Sequence, residues 1–243
     1  MVAGPVGKNL HQSVFAMFKS GIVLSLLCFL FVLAGVSQEQ EWDSTYRPDI
    51  YPSRVGLFKS FKHSTNDIVL LGNSIIFWGE WSELARNSHL KNRGIPGDIT
   101  FGVLDRLDEV INGKPAKVFV LIGINDVARN IPDSVVLHNY KRMIQRIKAG
   151  SPRTKIFFHT MLPTNSSFNK LTTHYNKGEH IKKINAGLKE LGAKENIIVI
   201  DLYSAFADAD GNLIRNITFD GVHLTEEGYY KWIALLKQGN YLK

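Results

Sequence analysis

Ser74 closes the stretch Ile68-Val-Leu-Leu-Gly-Asn-Ser74, in which four apolar residues stop at a glycine and the chain must turn. A serine hydroxyl is a weak nucleophile until a base takes its proton. The base in turn needs a third group to fix its tautomer and stabilise its charged form. Asp220 and His223, in Phe219-Asp-Gly-Val-His223, have the types for both tasks. Acyl transfer also needs donors aimed at the developing oxyanion. The Ser74 backbone N–H can be one, a glycine N–H of the Arg93-Gly-Ile-Pro-Gly97 loop a second, and the Asn125 carboxamide, in Gly123-Ile-Asn-Asp126, a third. Each residue also has a plainer reading. Ser74 can simply N-cap a helix, Asp220 can form a turn with His223 packing in a loop, and Asn125 and Asp126 can be turn residues after Gly123.

The elements that must position these residues separate the readings. Ile68–Leu71 lies between polar Ser64–Asp67 and Gly72, the pattern of a short strand covered on both faces. Lys117–Ile122 repeats the pattern and also ends at a glycine followed by polar residues. Lys155–His159 and Asn196–Asp201 supply two further strands. Between them, helical spacing is expected over Trp78–Leu90, Thr100–Asn112, Asp133–Ala149 and Glu179–Leu191, with Lys91–Asp98 as a loop. A last helix, with Tyr229, Ile233 and Leu236 on one face, follows Thr225 as N-cap. Strands alternating with helices of this length imply an α/β fold with a parallel sheet covered on both faces. In such sheets ligands sit in the crevice beyond the strand ends, which is where Ser74 and Asn125 fall. The Asp220–His223 loop precedes the last helix and can return to the same edge.

Composition bounds the rest. At 243 residues, 44% hydrophobic and 21% charged, the chain can bury one sizeable core. The net charge of +7 is spread along the chain with no basic block or aromatic-interleaved patch, so no nucleic-acid partner is expected. Residues 1–37 read as a secretory signal: Lys19, then an uncharged apolar run, then small residues Ala34, Gly35 and Ser37. Cleavage would leave a secreted or periplasmic protein without stable membrane insertion and without the lone Cys28; retention of the run as an anchor is the alternative. Residues 38–65, with Pro48 and Pro52 ahead of a short amphipathic helix over Ser53–Phe61, read as an N-terminal wrap on a domain spanning 66–243.

Four blocks, Gly72-Asn-Ser74-Ile, Gly94-Ile-Pro-Gly97-Asp, Gly123-Ile-Asn125-Asp126 and Asp220-Gly-Val-His223-Leu, resemble in order and spacing those of the SGNH, or GDSL-type, hydrolases. The resemblance covers about residues 66 to 238. It implies a flavodoxin-like three-layer sandwich with a central parallel sheet of about five strands. It makes Ser74 the nucleophile, His223 the general base and Asp220 its orienting acid, with the Ser74 N–H, Gly97 and Asn125 as the oxyanion hole, and neither cofactor nor metal. The family usually places aspartate before the serine, whereas this chain has Asn73, which keeps a short polar side chain to brace the turn. Asn92–Asp98 looks most like the acetylhydrolase branch, which includes platelet-activating-factor acetylhydrolase-like enzymes and sialate or other carbohydrate acetylesterases. The expectation is a secreted serine esterase acting on short acyl esters of a small molecule or glycan. Trp78, Trp81, Phe168 and the loop 164–175 are candidates for sugar contact, with helix core as the alternative for the two tryptophans. A lysophospholipase or thioesterase, and a catalytically silent glycan-binding module, are the competing functions.

Overall fold

The computed structural model describes residues 41–243, together with residues 1, 2 and 4. The chain divides into two units, Met1–Glu41 and Trp42–Lys243. Apart from residues 1, 2 and 4, the segment read as a secretory signal lies outside the described residues. Among the described residues no helix is long and apolar enough to cross a membrane.

The second unit runs α1 (Tyr51–Ser60), β1 (Ile68–Gly72), α2 (Ser74–Phe77), α3 (Trp81–Ala85), β2 (Leu90–Gly94), α4 (Thr100–Asp105), α5 (Leu107–Gly113), β3 (Lys117–Leu121), α6 (Ile124–Ala128), α7 (Asp133–Gly150), β4 (Lys155–His159), α8 (Gly178–Lys194), β5 (Ile198–Ile200), α9 (Leu202–Phe206) and α10 (Glu226–Gln238). The five strands form one sheet in the order β2-β1-β3-β4-β5, every pair parallel. This is the α/β, flavodoxin-like architecture expected.

Strands β1 and β3 are buried along their whole length, as strands covered on both faces must be. The long helices α7 and α8 bury one stripe each, Val136, Tyr140, Met143, Ile144 and Ile147 on the first and Ile181, Ile184 and Leu188 on the second. On α10, Trp232 packs edge-on against Trp81 at 4.9 Å and donates through Nε1 to His159 Nε2 at 3.3 Å. Burial pushes His159 down to about 3, so its ring is a neutral core group.

The register places the site. Gly72 is paired with Gly94 of β2 on one side and Leu121 of β3 on the other, so three strands end level. The loops that follow them therefore emerge at one edge. The chain leaves β1 toward β2 on one flank and reaches β3 on the other, so Ser74 stands at the point where strand order reverses, the position at which open α/β sheets place ligands.

Several expected elements differ. Residues 91–94 belong to strand β2 and not to a loop. Its sequence, Leu-Lys-Asn-Arg-Gly, shows no apolar alternation because this edge strand satisfies its inward side chain by an ion pair: Arg93 Nε lies 2.8 Å from Glu109 Oε1. The helix expected over Trp78–Leu90 shrinks to Trp81–Ala85, ended by Arg86 in a left-handed conformation at φ 53°. The helix expected over Thr100–Asn112 is interrupted at Arg106, which leaves helical geometry at φ −103° and ψ 8°. Thr225 precedes α10 but its side chain makes no capping bond. Pro52, expected to precede regular structure, lies in the first turn of α1, where a missing N–H costs nothing.

Candidate active site

Strand β1 ends at Gly72, and the chain reverses into α2 at once. Asn73, extended at φ −97° and ψ −151°, caps that helix by accepting the Ile75 N–H on Oδ1 at 3.0 Å. Asn73 thus braces the turn as a short polar residue there must, while its Nδ2 is buried without a protein partner among the described residues. Ser74 is the first residue of α2, so its N–H belongs to the first turn, whose donors have no intrahelical acceptor. The turn packs directly on β2: a Cβ on Gly94 would sit 2.3 Å from the Phe77 nitrogen and 2.8 Å from the Asn73 oxygen, a space only glycine leaves open.

The loop before α10 returns to this edge, as its position in the chain suggested. His223 Nε2 is 2.8 Å from Ser74 Oγ, and His223 Nδ1 is 2.6 Å from Asp220 Oδ2. The other carboxylate oxygen, Oδ1, accepts the backbone N–H groups of Val222 at 2.9 Å and His223 at 2.7 Å. Burial would raise the Asp220 pKa, but the hydrogen bonds from the His223 ring and from these two N–H groups outweigh it and hold the carboxyl below its usual range. Thr218 closes the loop, donating to the His223 carbonyl at 2.6 Å and accepting the Gly221 N–H at 2.9 Å. The Tyr175 hydroxyl donates to the Asp220 carbonyl. Phe219, about half exposed, stacks parallel to the His223 ring at 5.8 Å.

Opposite, the loop after β2 turns back over the end of β1: the Ile95 N–H donates to the Gly72 carbonyl at 3.0 Å. Gly97, at φ +77°, takes a conformation that other L-residues rarely adopt, and its N–H donates to no group of the described residues. Asn125, in the first turn of α6, donates through Nδ2 to the Asp98 carbonyl at 2.9 Å and accepts on Oδ1 from His174 Nε2 at 3.0 Å. One proton of its amide is left over. Ser74, His223 and Asp220 therefore form one hydrogen-bonded chain, and Asn125 is joined to the residue after Gly97.

Of the residues that brace these loops, sequence reasoning passed over Arg106 and read Asp126 only as a turn residue. Arg106 donates to the Arg93 carbonyl at 2.9 Å, to the Gly72 carbonyl at 2.9 Å and to Asp98 Oδ2 at 3.0 Å. Asp126 accepts the Thr100 N–H at 3.1 Å and the Thr100 hydroxyl at 2.5 Å. Burial raises both carboxyls, Asp98 to about 6 and Asp126 to about 7. Only the helical break at Arg106 could have signalled these roles, and no periodicity shows it. Of the aromatic candidates, Trp81 is core, 1% exposed, whereas Trp78 is 56% exposed and edge-on to Phe77. Phe168 lies under the Arg215 guanidinium at 4.8 Å.

The chain is similar to several known proteins. The family model of the GDSL-like lipase/acylhydrolase family matches residues 70–231. The human platelet-activating factor acetylhydrolase IB subunit alpha2 is 29% identical over 176 residues, covering 70% of this chain and 74% of that protein. A Streptococcus pneumoniae structure named for platelet activating factor superposes with a TM-score of 0.72 at 27% identity, covering 92% of this chain and 99% of that one. A GDSL-like lipase from Bacteroides thetaiotaomicron superposes with a TM-score of 0.68 at 25% identity, covering 78% and 96%.

Proposed function

The chain belongs to the GDSL-like lipase/acylhydrolase family and is an ester-hydrolysing enzyme, and from that premise we propose that Ser74 is its nucleophile, His223 its general base and Asp220 the group that orients the base. The observation that carries this reading is the continuous bridge from Asp220 Oδ2 through both nitrogens of His223 to Ser74 Oγ. A carboxylate on Nδ1 demands a proton there, which leaves Nε2 as the acceptor facing the serine. Attack of Oγ on the acyl carbon passes the hydroxyl proton to Nε2, and the imidazolium returns it to the departing alcohol. Water then repeats the sequence on the acyl-enzyme. The Ser74 N–H, the Gly97 N–H and the spare Nδ2 proton of Asn125 are the donors to the oxyanion.

The substrate is a short acyl ester, acetyl first, carried by carbohydrate. The acyl group is supported by relatives named as acetylhydrolases. The sugar is supported by Trp78 and Phe219, exposed aromatic faces next to the catalytic loops of the kind that stack on apolar sugar faces. The relatives' name favours a second acceptor, platelet-activating factor itself. Acetate release from acetylated glycans and from platelet-activating factor, measured side by side, separates the two: release only from the latter would remove the carbohydrate reading.

Export completes the reading. The apolar run after Lys19 is removed and the mature chain begins between residues 36 and 39, outside the inner membrane. N-terminal sequencing of exported protein checks it, and retention of residues 17–30 would favour an anchor.

A further inference from the structure

We propose that His174 is a positioning residue for the oxyanion hole, holding the Asn125 carboxamide with its free Nδ2 proton turned toward the reacting ester; this rests on the reading of the site given above. The Asn125 side chain is clamped at both ends. Nδ2 must face the Asp98 carbonyl, which only accepts, so Oδ1 faces His174 Nε2 at 3.0 Å, and the imidazole must carry its proton on Nε2. The far side of the ring agrees, since His174 Nδ1 lies 3.2 Å from Thr173 Oγ1, a hydroxyl that can donate to it. Burial lowers the His174 pKa, and the neighbouring His223 and Arg129 press the same way against Asp220, so the neutral ring with one assigned proton is the stable form.

A single bond to Asp98 would leave the carboxamide free to swing about its last torsion. Two bonds at opposite ends fix it, and the donation to Oδ1 polarises the amide so that the remaining Nδ2 proton becomes a stronger donor. The residue is itself held in place. His174 ends the turn Thr172–His174, and the next residue, Tyr175, accepts the N–H groups of Lys170 at 3.2 Å and Leu171 at 3.1 Å on its hydroxyl while donating to the Asp220 carbonyl. The segment that aims Asn125 is thus tied to the loop that carries Asp220 and His223.

The test is steady-state hydrolysis of p-nitrophenyl acetate by the full chain in five forms: wild type, His174→Ala, His174→Gln, Asn125→Ala and the His174→Ala/Asn125→Ala double variant. His174→Ala is expected to lower kcat about 10-fold, less than the roughly 10²- to 10³-fold for loss of an oxyanion donor itself, with KM within about twofold of wild type. His174→Gln, whose amide can still donate to Oδ1, restores most of that loss. In the Asn125→Ala background the His174 substitution costs less than about twofold further, because the group it acts through is gone. Additive losses in the double variant, an unchanged kcat in His174→Ala, or a Gln variant no faster than Ala would overturn the assignment. A wild-type protein inert toward the ester would instead strike the reading of the site.

Discussion

Arg106 Nη2 donates to the carbonyl of Gly72 at 2.9 Å, so the strand end that delivers Ser74 is held by a side chain from the break between α4 and α5. The same guanidinium takes the Arg93 carbonyl, at the end of β2, and the carboxylate of Asp98, the residue after Gly97. Its five donors lie in one rigid plane, and three acceptors from three segments converge on that plane. The distance between the Ser74 turn and the Gly97–Asp98 loop is therefore set by one buried side chain, 2% exposed. The break at Arg106 between α4 and α5 follows from this demand: the side chain is drawn to the strand ends, and the backbone leaves helical geometry to let it.

Replacing Arg106 tests the arrangement by stability first. Arg106→Ala leaves Asp98 buried without its counter-charge and takes one donor from each of two carbonyls, which should cost about 3–5 kcal/mol in urea unfolding. Arg106→Lys can reach one acceptor but not three. It should fold, lose less stability, and still lower kcat because the Gly97–Asp98 segment is no longer tied to the end of β1. A lysine variant with wild-type kcat would show that the fork does not set the geometry.

Substitutions in the bridge itself have a sharper signature. Ser74→Ala and His223→Ala should each nearly abolish ester turnover while the thermal unfolding midpoint stays close to wild type, since neither residue supports the core. Asn125→Ala should cost on the order of 10²- to 10³-fold in kcat. Chelators should leave wild-type turnover unchanged, because the attacking oxygen is a side chain. Loss of activity on chelation, or a Ser74→Ala enzyme retaining most of its rate, would exclude the bridge as the catalytic unit.

Much of this was legible in the residues. The apolar runs of β1, β3 and β4 announce themselves because both faces are buried, and the glycines that end β1 and β3 mark where the chain must turn. Strand β2 was not legible: Lys91, Asn92 and Arg93 satisfy themselves by ion pairs and by bonds to the backbone of residues 76–79, and no hydrophobic pattern records such bonds. The proposed site residues with fixed chemical types, Ser74, Asp220, His223 and Asn125, could be put forward because acyl transfer limits what can serve. Arg106, Asp126, Tyr175 and His174 could not, since each acts through a partner between 26 and 49 residues away that only the folded sheet edge brings near.

Asp126 gives the site a pH-dependent element of stability. Its carboxyl is fully buried and raised by that burial to about 7 from 3.8, so the folded state binds its proton more tightly than the unfolded chain does. A raised pKa contributes stability that is complete below the unfolded value and is lost as the pH climbs through the folded value. Asp126→Asn removes the titration while keeping the shape and one acceptor. The stability of wild type relative to Asp126→Asn should therefore rise as the pH falls from 8 toward 4. A difference that is flat across that range, or grows toward alkaline pH, would mean that the carboxylate is stabilised in its charged form by Thr100.

Acyl length is the property on which the proposed substrate depends most directly. Where a dry groove receives the chain, each buried methylene contributes about 0.8 kcal/mol, so an eight-carbon acyl group would gain about 5 kcal/mol over acetyl, a preference of several thousand-fold. The cavity behind the Ser74 turn is lined by apolar side chains, Ile75, Leu121, Ile122, Ile124 and Val222 among them, but holds only about 10 Å³ and is not lined by Ser74, His223 or Asn125, so a long acyl chain must find another path. That path, if present, would run over Phe77, Trp78 and Phe168. Specificity constants on p-nitrophenyl esters from two to twelve carbons decide the matter, with kcat/KM expected to be highest at acetyl and to fall steeply by eight carbons. If the values rise along the series instead, the aromatic side chains form an alkyl groove and the enzyme is a long-chain acylhydrolase.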